Sequence, residues 1–134
     1  MNKFLLYSSM IIGFITIIIS LFFYNKSLFL LYTITYIGII TSIINHGITS
    51  EFAENIDRFI MLLSLIIYIY YSINIKQELV KIIILSSLGI MVFLYIFSKA
   101  VKVLLNHNNM STNIHILTHC IYLLPFLVII YYYK

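Results

Sequence analysis

The chain has little charge. Only 9% of its 134 residues are Asp, Glu, Lys or Arg, whereas 63% are hydrophobic. An average soluble domain carries about 25% charged and roughly 45–50% apolar residues. A soluble fold this short could not hide so much Ile, Leu, Phe and Tyr. In lipid that burden disappears, because the bilayer is itself an apolar solvent. One polytopic membrane domain over residues 1–134 is therefore the expected class. Cysteine is almost absent. The single Cys120 excludes an internal disulfide and does not mark a redox compartment. The formal charge of +4 is spread over the turns without a basic cluster, so no nucleic-acid partner is expected. Glycine and proline are scarce. There is no GxxxG, no Gly-rich phosphate loop, no CxxC and no GxSxG elbow. No repeat, heptad pattern or linker divides the chain.

What is present is a series of apolar runs. They predict helices over about 4–23, 28–46, 56–74, 79–98 and 113–133. The first run, at about 1.5 Å per residue, spans roughly the 30 Å of a hydrocarbon core. Lys3 precedes it, but no small-x-small cleavage site follows, so a retained helix is expected. Gly47 suits the end of the second helix. Thr49 to Glu51 reads as a turn, with Ser50 or Asn55 capping the third helix. Tyr68, Tyr70 and Tyr71 form an interfacial girdle. Lys99 and Lys102 fall on a short amphipathic extension, before an Asn-rich loop over 106–113. Pro125 is expected to bend the fifth helix near residue 121. The fold class is thus all-α, a transmembrane bundle of about five spans. The chain is an integral, multi-pass membrane protein.

Five spans fix which ends lie together. We call the side carrying the N-terminus proximal and the other distal. Lys3, Arg58, Lys99 and Lys102 are then proximal, and Lys26, Lys76, Lys81 and Lys134 distal. The positive-inside counts are equal, so they set no orientation.

The polar residues are not spread evenly. The stretch 42–58 holds three of the four acids, the only arginine and His46. His46 ends the second helix on the proximal side, and Asp57 begins the third there. His115 and His119 lie in the first turns of the fifth helix, again proximal. Ser42 is one turn deeper than His46 on the same helix face, and His119 one turn deeper than His115. Histidines at i and i+4 present two ligands to one metal. A third histidine from another helix gives a three-histidine site with an open fourth position, the form of a catalytic zinc. Asp57 is the carboxylate placed to fix a tautomer or take a proton. Plain structural readings stand beside these. An HxxxH arises by chance, His115 suits an interface, Asp57 and Arg58 suit a helix-end charge pair, and His46 suits a free carbonyl. His107 reads as solvated in its loop. Cys120 points about 100° away from His119 and reads as core packing or, less simply, as a thiolate ligand. Glu51 and Glu54 read as capping and solvation.

The residues Ser42-Ile43-Ile44-Asn45-His46, then Asp57 eleven positions on, then His115-Ile116-Leu117-Thr118-His119 form one pattern. It resembles the signature of the alkaline ceramidase branch of the CREST membrane hydrolase superfamily. The resemblance implies a zinc held by His46, His115 and His119, with Ser42 and Asp57 around an activated water. It implies hydrolysis of a lipid amide, with esters in related branches, and a membrane lipid as substrate. In that chemistry Asp57 takes a proton from water and returns it to the leaving amine, and Ser42 hydrogen-bonds the site or assists the oxyanion. Family members have seven core helices, against five here. Only 58 positions separate Asp57 from His115. Loss of a helix pair there keeps the parity but removes part of a substrate chamber wall, which a homo-oligomer would restore. The alternative function is a small polytopic protein without catalysis: structural, interacting, or a lipid- and metal-binding scaffold. No helix carries a full polar stripe, which disfavours a pore.

Overall fold

A computed structural model describes residues 2–48 and 50–134 of the chain. Thr49, part of the expected turn, lies outside the described residues. The architecture is all-α. The helices are α1 (Lys3–Phe22), α2 (Phe29–Gly47), α3 (Glu51–Ile73), α4 (Glu78–Leu104) and α5 (Asn108–Tyr132), with a short 3-10 turn at Lys26–Leu28 before α2. All five are long and apolar enough to cross a membrane. Large apolar side chains cover the outside, among them Phe4, Phe14, Leu21, Leu79 and Phe93. In water such a surface would aggregate. In a bilayer it is the solvent-facing surface. The protein is an integral, multi-pass membrane protein.

The helix ends differ from the sequence expectation in three places. α3 begins at Glu51 rather than near 56. Ser50 has an extended backbone, its carbonyl already accepts from Glu54 N, and Glu51 and Glu54 occupy the first turn. Acidic side chains there favour the positive end of the helix dipole, so the helix starts early. α4 does not stop near 98 but absorbs the expected extension up to Leu104. Ser98 and Val101 continue its buried face, and nothing in 99–104 breaks a helix. Its 27 residues reach about 40 Å, so its last turns rise beyond the hydrocarbon. The expected loop over 106–113 shrinks accordingly, because α5 starts at Asn108. Asn106 makes the short turn feasible by adopting φ 52°, a left-handed conformation that Asn tolerates. α5 continues as one helix through the buried Pro125. Pro125 has no N–H to give Ile121 O, so one rung of the ladder is missing.

Around the bundle the packing order is α3, α2, α1, α5, α4, with α3 lying more loosely against α4. Both ends are tied by hydrogen bonds that confirm the parity. On the proximal side Asn2 N donates to His46 O at 3.2 Å, and Asn2 Nδ2 to Thr112 Oγ1 at 3.0 Å. On the distal side Asn25 Nδ2 donates to Tyr133 O at 2.6 Å, and Tyr71 Oη to Ser27 O at 3.0 Å. The apolar core is distal, built on Leu28, Leu31, Tyr68, Ile84, Phe126 and Ile129. Toward the proximal side the interior becomes polar.

α1 carries a seam of small residues: Ser9, Gly13, Thr16 and Ser20 are all buried. Their spacing keeps them on one face, and small residues let membrane helices approach closely. The hydroxyls are satisfied within the helix, Thr16 by Ile12 O at 2.8 Å and Ser20 by Thr16 O at 2.7 Å. A Cβ at Gly13 would lie 2.7 Å from Ile39 Cγ2 of α2, whereas one at Gly89 would meet nothing within 4 Å. Gly13→Ala should therefore lower thermal stability in detergent by about 1–3 kcal/mol through overpacking. Gly89→Ala should leave it unchanged or slightly raised. Equal effects of the two would contradict the close α1–α2 contact.

Candidate metal centre

Four helices meet at the proximal end. α2 brings Ser42, Asn45 and His46. α3 brings Glu54 and Asp57, and α5 brings His115 and His119. α1 contributes Ser8 and Ser9, which the sequence reading passed over.

The three histidines form a triangle. Ring centroids are 5.3 Å apart for His46 and His115, 5.5 Å for His46 and His119, and 5.0 Å for His115 and His119. One ring nitrogen from each lies within 4.8 Å of the others, close enough for the set to hold a metal ion. Tetrahedral zinc bonds of about 2.0–2.1 Å would draw these nitrogens to roughly 3.4 Å from one another. His46 Nε2 is buried and has no hydrogen-bond partner among the described residues. An unsatisfied buried nitrogen costs roughly 1–3 kcal/mol. A lone pair aimed at a shared cation offsets that cost, so the donor set fits a metal. The alternative reading of His46, as partner to a free carbonyl, does not account for this nitrogen.

Ser8 and Ser9 tie α1 to the site. Ser8 Oγ lies 2.8 Å from His119 Nδ1 and 2.9 Å from Leu5 O. When Ser8 gives its proton to Leu5 O, His119 Nδ1–H donates to Ser8 Oγ and the Nε2 lone pair is free, which is the tautomer that ligation through Nε2 requires. Ser9 Oγ donates to Leu5 O at 3.0 Å and shares a hydrogen bond with Ser42 Oγ at 3.1 Å. α1 thus contacts one site residue of α5 and one of α2.

Asp57 is held by α2. Asn45 Nδ2 donates to its Oδ2 at 2.7 Å, and Thr41 Oγ1 divides its single proton between Asp57 Oδ1 at 3.2 Å and Gly38 O at 3.0 Å. It does not pair with Arg58, as a helix-end charge pair would. Arg58 binds Glu54, which also accepts from Lys99 Nζ at 2.9 Å. Glu54 is therefore a bridge between α3 and α4, not only a cap. Tyr95 of α4 packs edge-on against His115 at 5.5 Å, and Lys99 Nζ lies 5.6 Å from the centre of the Tyr95 ring. Cys120 is exposed on the outside of α5, which corrects the core-packing expectation. It is not among the clustered ligands. His107 is exposed in the turn before α5, as its solvated reading expects.

Two cavities meet at the histidines. An inner pocket of about 90 Å³ is lined by Ser42, Asp57, His115 and His119 together with Ile12, Ile39, Met61 and Met91. A larger proximal chamber of about 420 Å³ is lined by His46, His115, Glu54, Lys99, Lys102 and Asn108. His115 borders both. Ser42 and Asp57 thus face the same inner pocket as two of the histidines.

Fold and site together define a polytopic helical membrane bundle with a three-histidine cluster able to coordinate a metal ion. Searches against protein-family models, curated proteins and solved structures returned no match.

The Ser8–His119 bond should matter to metal retention. Ser8→Ala should weaken zinc affinity of the purified protein by about 10-fold, the lower end for an outer-shell partner. Ser8→Thr, which keeps the hydroxyl, should restore it. Because the ligand form is neutral imidazole, affinity should also fall as pH is lowered. Unchanged affinity in Ser8→Ala, measured with a competing chelator dye, would count against a supporting role for the Ser8–His119 bond.

Proposed function

We propose that the protein is a zinc-dependent intramembrane hydrolase that cleaves a lipid amide, ceramide-like, or a lipid ester. The observation that carries this reading is the placement of the histidine triangle. It stands between a polar proximal chamber and an apolar inner pocket, with a buried nitrogen lacking any partner among the described residues. A lipid lying across that boundary would present its amide or ester linkage to the cluster. The likeness of Ser42–His46, Asp57 and His115–His119 to the alkaline ceramidase signature supports the same reaction class.

His46, His115 and His119 would hold the zinc. Zinc in such a site supplies a Lewis acid and a water acidic enough to be a nucleophile near neutral pH. The protein's own groups handle the protons. Asp57 accepts one at a carboxylate oxygen and returns it to the leaving amine or alcohol. Asn45 and Thr41 fix the carboxylate so that it faces the pocket in one orientation. Ser42 donates to the substrate oxyanion by turning its proton away from Ser9 Oγ. Ile12, Ile39, Met61 and Met91 exclude bulk water from the inner pocket.

A second reading has its own support. Asn45 already donates to one Asp57 oxygen and Thr41 lies against the other, and Ser42 Oγ is already hydrogen-bonded to Ser9 Oγ. Groups so engaged suit a scaffold that binds metal and lipid without turnover. Hydrolysis assays on zinc-loaded protein with amide- and ester-linked lipids separate the two. The hydrolase reading expects product release that falls by about 10²–10⁴-fold in Asp57→Asn, the usual weight of a general acid–base, with zinc content retained. Full zinc occupancy with no turnover in the wild type would establish the scaffold instead.

A further inference from the structure

The inner pocket is small, about 90 Å³, and mostly apolar, yet its distal end is polar. Gly38, Ser64 and Tyr122 line that end. Gly38 lies one turn distal to Ser42 on α2, and Ser64 two turns distal to Asp57 on α3. Tyr122 lies just under one turn distal to His119 on α5. At about 1.5 Å per residue, these offsets set the floor roughly 5–10 Å below Ser42, Asp57 and His119.

Glycine at 38 gives the floor its room. A Cβ there would stand 3.6 Å from Ser64 Oγ and 4.0 Å from Tyr122 Oη. Both oxygens thus lie against a backbone position that itself lines the pocket. Behind them stand Thr35 and Tyr68, fully buried and bonded to each other at 3.0 Å. Four hydroxyls from three helices therefore gather in the bundle interior, and the hydrolysis described above uses none of them. Ser64 Oγ gives its proton to Ile60 O at 2.8 Å, which leaves its lone pairs as acceptors. Tyr122 Oη adjoins Tyr68, Thr35 and Ser64. Among the described residues none of these approaches is a hydrogen bond of ordinary length and angle, so its proton is only loosely held. The floor offers a loosely held donor beside an open acceptor. In a membrane interior such groups are costly unless paired.

A ligand carbonyl would satisfy only the donor, and an ammonium only the acceptor. A hydroxyl satisfies both. The polar end of a lipid belongs in the polar proximal chamber, which leaves its acyl chain for the inner pocket.

We propose that Gly38, Ser64 and Tyr122 form a specificity subsite for a hydroxyl on the acyl chain, several carbons from the scissile carbonyl. Tyr122 Oη donates to that hydroxyl and Ser64 Oγ accepts from it. The proposal rests on the hydrolase reading above and deepens it by naming the acyl group, a hydroxylated chain rather than a plain one. A hydroxyl beside the carbonyl would stay near the level of Ser42 and not reach the floor. Helix adhesion is the competing role, because polar side chains also join membrane helices. The two roles differ in what a substitution disturbs.

The test uses the full chain, purified in detergent and loaded with zinc. Three single-chain fatty amides are compared: one plain, one with a hydroxyl beside the carbonyl and one with a hydroxyl in mid-chain. Dissociation constants are measured in Asp57→Asn, which slows turnover, and kcat/KM in protein with Asp57 intact. The mid-chain hydroxyl should tighten binding about tenfold over the plain chain, which leaves a buried Tyr122 Oη poorly paired. The hydroxyl beside the carbonyl should gain nothing. Adding Tyr122→Phe should bring the ratio of mid-chain to plain affinity to about one, with zinc content kept. Gly38→Ala, whose Cβ fits at ordinary contact distances, should screen both oxygens and have the same effect. Equal binding of the plain and mid-chain amides before these changes would overturn the proposal and leave the floor to water. So would a Tyr122→Phe variant that melts earlier and weakens all three amides alike, with the ratio unchanged, because that is the mark of helix adhesion. A binding preference that is present and lost in Tyr122→Phe, with no amide turned over by the intact protein, would uphold the subsite and overturn the hydrolase reading alone.

Discussion

The carbonyl of Leu5 is the point on which the proximal half of the bundle depends. It accepts from both Ser8 and Ser9. Each serine also hydrogen-bonds a residue on another helix, Ser8 with His119 Nδ1 and Ser9 with Ser42 Oγ. In a hydrocarbon surrounding no water is at hand to replace these partners, so the geometry is strongly enforced. α1, which supplies none of the expected ligands, thereby orients two residues that line the inner pocket.

The bundle divides along the membrane normal. Distally, Tyr68, Phe126 and their neighbours form an apolar core, and interfacial tyrosines tie the turns together. Proximally, packing gives way to hydrogen bonds, ion pairs and cavities. The Glu54 bridge to Lys99 joins α3 to α4, a loosely packed pair of neighbours. A rigid distal half thus presents a polar proximal half, as a site needing both precise side chains and room for a ligand requires.

Much of this was legible in the sequence. The five helices follow from apolar runs of membrane length. The meeting of His46, Asp57, His115 and His119 on one side follows from counting crossings, and the i, i+4 pairing of His115 with His119 from helix geometry. Other features were not legible, for physical reasons. The early start of α3 depended on Glu51 and Glu54 favouring a helix N-terminus, which their turn-like surroundings obscured. α4 was cut short because Lys99 and Lys102 look like an exit from the membrane, although a helix continues unhindered past the hydrocarbon. Ser8, Ser9 and the Gly13 seam sit in a run that reads as uniformly apolar, where a hydroxyl is indistinguishable from helix filler until its partner is seen. Asn45 was visible only as a neighbour of His46, yet it is the donor closest to Asp57.

The central claim is that three histidines from two helices were brought together to hold a metal. Elemental analysis of detergent-purified protein tests it directly, comparing wild type with the His115→Ala/His119→Ala double variant. The account predicts about one zinc per chain in the wild type and a loss of nearly all of it in the variant, by analogy with three-histidine zinc sites. A folded wild-type protein that takes up no zinc on reconstitution, or a double variant that retains it in full, would contradict the account.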